Sequence, residues 1–292
     1  MGEIYALTTA VIWSFAVILF KRSGEKIPPF ALNFFRVGLA SLFFAVTLLV
    51  MREPVLGVAP LGDYLILIAS GVIAIGVSDT LFHKCLNMVG AGINAIVDCL
   101  YSPMIIFFAY ILLGERLSFW HYIGMVTILA GVLLTTRVEP PEGSSRKRLV
   151  AGIFWGVCSM VTLGFGIVIA KPVLDRSPVV WATAVRQIGC FLAMVPVALL
   201  SPKRGEIFAT FRPQRHWKFM VPGTFLGSYL ALIFWIAGMK YTQAGIAAIL
   251  NQTSSIHILI FASLFLKEPF TRFKLAAAIL AIGGVLMVTI GT

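Results

Sequence analysis

Asp98 stands inside a long apolar run, with Asn94 one helical turn before it and Tyr101 and Ser102 about one turn after. Spacings of three and four residues put these four polar groups on one face of a helix. A charge held in hydrocarbon costs at least about 2.5 to 3.5 kcal/mol on insertion scales, so an embedded carboxylate needs a use. Two uses fit: pairing with a substrate amine or exchanging a proton at a binding site, or hydrogen-bonding one helix to its neighbour. Pro103, five residues on, removes a backbone donor and frees the carbonyl of Cys99, which permits a kink beside the polar face.

Other ionisable groups in apolar surroundings are few. Asp79 and His83 lie one turn apart and are followed by Lys84 and Asn87. They read either as a proton relay, since histidine titrates near neutrality, or as an interfacial helix end whose lysine reaches the headgroups. Arg36 and Arg186 offer planar forks suited to a carboxylate or a phosphate, or serve as packing anchors. Trp13, Phe15, Trp155, Phe165, Tyr229 and Trp235 have faces that attract a cation, and equally are membrane-belt or packing residues.

What is missing narrows the chemistry. There is no glycine-rich phosphate loop, no HExxH or GxSxG run and no suitably spaced carboxylate pair, so an enzyme is not expected. No filter-like loop or repeated ring of one charge suggests a channel. Cys85, Cys99, Cys158 and Cys190 stand apart in apolar sequence and read as small core residues, and no metal or cofactor is expected.

The elements that hold these residues are set by the solvent. Of 292 residues, 59% are hydrophobic and 12% charged, and the mean hydropathy is +0.96, which points to a bilayer. Apolar stretches long enough to cross about 30 Å of hydrocarbon follow one another with little between them. They run over Ile4 to Phe20, Phe30 to Met51, Tyr64 to Leu86, Ala91 to Leu113 and Trp120 to Thr136, and then over Leu149 to Ala170, Val179 to Leu200, Phe219 to Met239, Gly245 to Leu266 and Phe273 to Ile290. Met1, Gly2 and Glu3 supply no positive leader, so the first span is expected to stay in the membrane. The net charge of +11 sits in short loops, where anionic headgroups, not nucleic acid, are the natural counter-charge.

The ten runs repeat. A shift of about 153 residues lays Ala91, Gly92 and Ile93 on Ala244, Gly245 and Ile246, Glu115 on Glu268, and Gly131, Val132 and Leu133 on Gly284, Val285 and Leu286, with roughly a third of the paired positions identical. Earlier in the chain a shift of about 150 pairs Lys21 with Lys171, Pro28 with Pro178 and Arg36 with Arg186. The expected fold is therefore an all-α membrane protein of ten transmembrane helices in two five-helix repeats, residues 1–136 and 149–292, joined by a charged loop over 137–148. Because five is odd, the second half enters from the opposite side and the repeats are inverted. The mate of Asp98 is Asn251, with Ser254 and Ser255 beside it, so two polar faces can meet at the midplane. The shared position of Arg36 and Arg186 favours packing for both, and Glu115 and Glu268 read as helix-end residues. Gly223 and Gly227, aligned with Ser70 and Ala74, allow close helix approach.

The doubled five-helix frame, the Ala-Gly pair opening the fourth span, the Leu-Gly-Glu-Arg-Leu run at 113 to 117, its partner Leu-Lys-Glu-Pro-Phe at 266 to 270 and the Gly-Val-Leu near the end of each half resemble the EamA-type repeat of the drug/metabolite transporter superfamily. That resemblance covers nearly the whole chain and implies a secondary carrier in the cell membrane, often an exporter of amino acids or related metabolites. It also implies that the first, third, fourth, sixth, eighth and ninth spans line the cavity. The expected substrate-binding residues are Asp98, Asn94, Tyr101, Asn251, Ser255, Trp155, Tyr229 and Trp235, with Asp98 also coupling protons. Lipophilic cations held by aromatics, or anions held by Arg36 and Arg186, are the alternative cargoes. One chain holds both halves, so a monomer suffices and a dimer is compatible. The loops after odd-numbered spans carry about sixteen lysines and arginines against about five on the other side; by the positive-inside rule the termini face outward, whereas the resemblance implies cytoplasmic termini.

Overall fold

The computed structural model describes residues 1–114, 118–135, 137–138, 144–241 and 250–290. Glu115 and the rest of its motif to Leu117, Thr136, residues 139–143 of the inter-repeat loop and the Ala244, Gly245, Ile246 segment lie outside them. Among the described residues the long helices are, in order, α1 (Gly2–Gly24), α2 (Pro29–Met51), α3 (Leu61–Val89), α4 (Ala91–Leu113), α5 (Phe119–Thr135), α6 (Arg146–Arg176), α7 (Val179–Leu200), α8 (Trp217–Gly238), α9 (Leu250–Leu266) and α10 (Arg272–Ile290). A short helix, Arg204–Ala209, bridges α7 and α8.

Among the described residues, seven of these, α1 to α4 and α6 to α8, are long and apolar enough to cross a membrane. This is fewer than the ten spans expected. The described part of α5 has 17 residues, about 25 Å at 1.5 Å per residue, just short of the hydrocarbon core. The described part of α9 is likewise short. In contrast α6 extends past both expected ends, because its charged flanks continue the helix beyond the apolar core. Ser145 caps its start by accepting from the Arg148 amide at 3.2 Å.

Helix boundaries follow local chemistry. Pro28 and Pro178 sit extended ahead of α2 and α7, where a fixed φ prepares the first turn. Gly90, at φ +86°, ends α3 and begins α4 in one residue, a conformation that a Cβ disfavours.

Packing obeys the repeat. α1 packs on α8 and α9 as its mate α6 packs on α3 and α4, while α2 pairs with its own mate α7 and α5 with α10. Each contact therefore has a counterpart, as a pseudo-two-fold axis between the halves requires. The glycines of the repeated Gly-Val-Leu explain themselves at α5 and α10: a Cβ on Gly131 would lie 2.8 Å from the Ala277 carbonyl, and one on Gly284 would lie 2.7 Å from that of Gly124. Leucines such as Leu49, Leu200 and Leu264 are exposed on the outside, as expected where the surroundings are lipid.

Four helices lose regularity at matched positions. α3 widens to a π-helical stretch at Val72–Val77, and α8 does so at Thr224–Leu230. α4 tightens to a 3-10 turn at Asp98–Leu100. In α9 the Thr253 amide bonds back three residues to Leu250, at 3.3 Å. Those four irregularities surround one central space.

Candidate functional site

That space is a cavity of about 160 Å³ near the middle of the helix bundle, close to the volume that holds a benzene-sized molecule in a protein interior. α1 supplies Thr9 and Trp13, one turn apart; α2 gives Arg36 and α7 gives Arg186 and Gln187. The widened turns of α3 and α8 present Ala74, Ile75, Gly227 and Ser228, with Asp79, Phe82, Leu232 and Trp235 just beyond them. α4 contributes Asp98 and Tyr101, α6 Met160 and Leu163, and α9 Asn251, Gln252 and Ser254.

A π-helical turn leaves backbone carbonyls off the regular ladder, and buried carbonyls need donors. Asn33 of α2 meets that need in α3: its amide donates to the carbonyls of Ile75 at 2.9 Å and Gly76 at 3.0 Å, and to the Thr80 hydroxyl at 3.0 Å. On α9, the Ser254 carbonyl next to the irregular turn accepts from the Ser14 hydroxyl of α1 at 3.2 Å.

The charges are arranged unequally. Arg36 donates to Asp79 in an ion pair that leaves its side chain 4% exposed, and its guanidinium lies 5.2 Å from the centre of the Phe20 ring. Arg186 donates through Nε to the Ser70 hydroxyl at 3.1 Å, and that hydroxyl donates to the Gly166 carbonyl at 2.6 Å. Asp98 accepts from the Asn94 amide through Oδ2 at 3.3 Å, while its Oδ1 and the Oδ1 of Asn251 have no hydrogen-bond partner. The Tyr101 and Trp235 rings lie 6.2 Å apart across the cavity wall.

Of the residues expected from sequence, Asp98, Tyr101, Asn251 and Trp235 line the cavity together. Asn94 reaches it through its bond to Asp98, and Ser255 lies behind the lining, with its hydroxyl 3.2 Å from the Gln252 amide and 3.7 Å from the Cys99 sulfur. Two others point elsewhere. Trp155 lies beneath Lys84, whose Nζ is 3.5 Å from the ring centre. The Tyr229 hydroxyl bonds that of Thr47 at 2.6 Å among Phe43 and Phe44.

The expected set lacked Arg36, Asp79, Arg186, Gln187 and Gln252. Their common signal was an ionisable or amide side chain in an apolar run, and the repeated position of the arginines drew the packing reading instead. Asp79 and His83 do not form an interfacial helix end: Asp79 lines the cavity, and His83 is wholly buried between the rings of Phe20 and Phe82 at 5.2 and 5.4 Å.

The half-helix that carries Asp98 is held from the other repeat. Glu268, after α9, accepts the Ala91 amide at 2.6 Å through Oε1 and the Gly92 amide at 3.0 Å through Oε2, and Lys274 donates to Oε2 at 3.1 Å. A carboxylate at a helix start satisfies free amides and complements the positive end of the helix. Gly90 and Gly92 leave room for it, since a Cβ at Gly90 would lie 2.7 Å from Glu268.

Comparison with known proteins agrees with this doubled architecture. A family model described as the EamA-like transporter family matches residues 1–137 and again residues 150–290. Over 277 residues the chain is 24% identical to an uncharacterized transporter of Archaeoglobus fulgidus, covering 95% of this chain and 93% of that protein. A solved crystal structure superposes with a TM-score of 0.69 at 18% identity, covering 99% of this chain and 96% of the other, which shows a shared fold.

Proposed function

This chain belongs to the EamA-like transporter family, is a multi-pass secondary-active membrane transporter, and from that premise we propose that it exports small amino-acid-like or amine metabolites by alternating access. In this reading ten spans form two inverted five-helix units, residues 1–136 and 149–292, joined by the loop 137–148. They rock about the central cavity and expose it to one side at a time. Matched irregular turns in α3, α4, α8 and α9 support it, because broken helices at a repeat interface are where carriers of this kind bind cargo. The export direction is the one implied by the family resemblance.

One observation carries the substrate class: the Asp98 carboxylate lines the cavity with one oxygen unpartnered. Buried in a low-dielectric space, that oxygen is an acceptor for an ammonium group or for a proton. The substrate-binding group proposed is Asp98, Tyr101, Asn251 and Trp235, with Asn94 orienting Asp98, and Asp98 exchanges the coupling proton. A second reading, efflux of lipophilic cations, is favoured by the aromatic surfaces of Trp13, Tyr101 and Trp235 around the same carboxylate.

Metabolite profiling of cells and medium tests it, with wild type compared with Asp98→Asn at matched membrane levels. An amino-bearing compound is expected to leave the cells with wild type and to stay with the variant. Equal redistribution by both proteins removes Asp98 from the mechanism.

A further inference from the structure

Arg36 and Arg186 occupy matched positions in α2 and α7, both line the cavity, and both are almost wholly buried, at 3% and 1% exposure. Their surroundings differ in one decisive respect. Arg36 is neutralised by Asp79, whereas the position that matches Asp79 in the second repeat is Leu232, which also lines the cavity. Among the described residues Arg186 therefore has no carboxylate partner. Its Nε bonds the neutral Ser70 hydroxyl, and its Nη1, like the Nε and Nη1 of Arg36, has no hydrogen-bond partner. Gly71 lies so close to the Arg186 backbone that a Cβ there has no room, which fixes the base of the side chain.

We propose that Arg186 is the receptor for a carboxylate on the transported molecule, and that the cavity thereby selects compounds carrying both an anionic and a cationic group over compounds carrying one of them. The proposal rests on the transport reading above and deepens it. A buried guanidinium needs a partner for its charge and its donors, and a planar carboxylate fits its fork. Asp98 presents the opposite need within the same cavity. No ion pair joins Asp98 to Arg186 among the described residues, so each keeps its own ligand group. With Asp79 ion-paired to Arg36 and acting on Arg186 only from beyond ion-pair distance, Arg186 offers the cargo a positive group and deprotonated Asp98 a negative one. A molecule with both charges satisfies both; an amine leaves Arg186 buried and unmatched, and a simple acid does the same to Asp98.

The test uses the purified full chain in proteoliposomes and two sets of probes: leucine with 3-methylbutylamine and 4-methylpentanoate, which lack one charge each, and the series glycine, 4-aminobutyrate and 6-aminohexanoate, which varies the separation of the charges. Binding is read by competition on tryptophan fluorescence, since Trp13 and Trp235 line the cavity, and transport by counterflow. Wild type is expected to prefer at least one amino acid over the matching amine by about ten-fold or more, as sites built around a polar group reject analogues that lack it. Arg186→Gln should collapse that ratio. So should Leu232→Asp, which keeps the arginine but gives it the partner that Arg36 has, and a thermal melt in detergent checks that both variants fold. Equal affinity of wild type for amine and amino acid, or an unchanged ratio in folded Arg186→Gln, overturns the proposal. Preference for the simple acid independent of Asp98 would overturn the amine reading and with it the selection for two charges, and no binding of any probe would remove Arg186 as receptor too.

Discussion

Glu268→Ala should weaken the fold far more than an ordinary loop substitution. The change removes two backbone amide bonds at 2.6 and 3.0 Å and the Lys274 bond at 3.1 Å. Water can replace part of the amide bonding at a helix start, so the larger loss comes from Lys274. Its side chain is 6% exposed, and breaking a buried pair by removing one partner costs about 3 to 5 kcal/mol. At about 2 to 4 °C per kcal/mol for chains of somewhat smaller size, the melting temperature should fall by on the order of 10 °C. Thermal unfolding in detergent micelles measures it. Adding Lys274→Met to Glu268→Ala removes the stranded ammonium and should recover more than half of the loss, because the remaining deficit is a helix cap worth about 1 kcal/mol. A Glu268→Ala melt within about 2 °C of wild type, less than a single kcal/mol by the same scaling, or a double variant no better than the single one, would refute the assignment of Glu268 as the clamp on α4.

Adjacent glycines in α10 should respond oppositely. At Gly283 a Cβ meets nothing within 4 Å, so Gly283→Ala is expected to gain up to about 1 kcal/mol from helix propensity. At Gly284 it would lie 2.7 Å from the Gly124 carbonyl and 2.6 Å from the Ile128 side chain, so Gly284→Ala should lose about 1 to 3 kcal/mol by overpacking; the two melts, measured side by side, check it. The excess of basic residues in loops after the odd-numbered helices predicts outward-facing termini. A C-terminal alkaline phosphatase fusion should then be active and a C-terminal green fluorescent protein fusion dark, and the reverse pattern would assign the termini to the cytoplasm.

The parts of this protein legible in its sequence are those that the bilayer dictates. Hydrocarbon demands long apolar segments with satisfied backbone, so helix positions follow from hydropathy, and a doubled architecture is legible because both copies meet the same demand. Asp98 was legible for a related reason, as a lone carboxylate in apolar surroundings. Which way a side chain faces is less legible. Assigning Tyr229 and Trp235 to one cavity takes a helical phase as given, yet the wide turn at Thr224–Leu230 shifts that phase between positions upstream and downstream of it. The arginines show a second limit. Their shared position suggested a shared structural duty, but a side chain's role is set by its partners, and the partners are not repeated: Asp79 faces one arginine and Leu232 stands at the corresponding place in the other half. Inverted repeats give a carrier two equivalent halves for movement, while a cargo with unlike ends needs a site with unlike ends. Departures from the repeat are therefore where specificity has room to arise: leucine stands at 232 where the first half has Asp79, and Asn251 stands where it has Asp98.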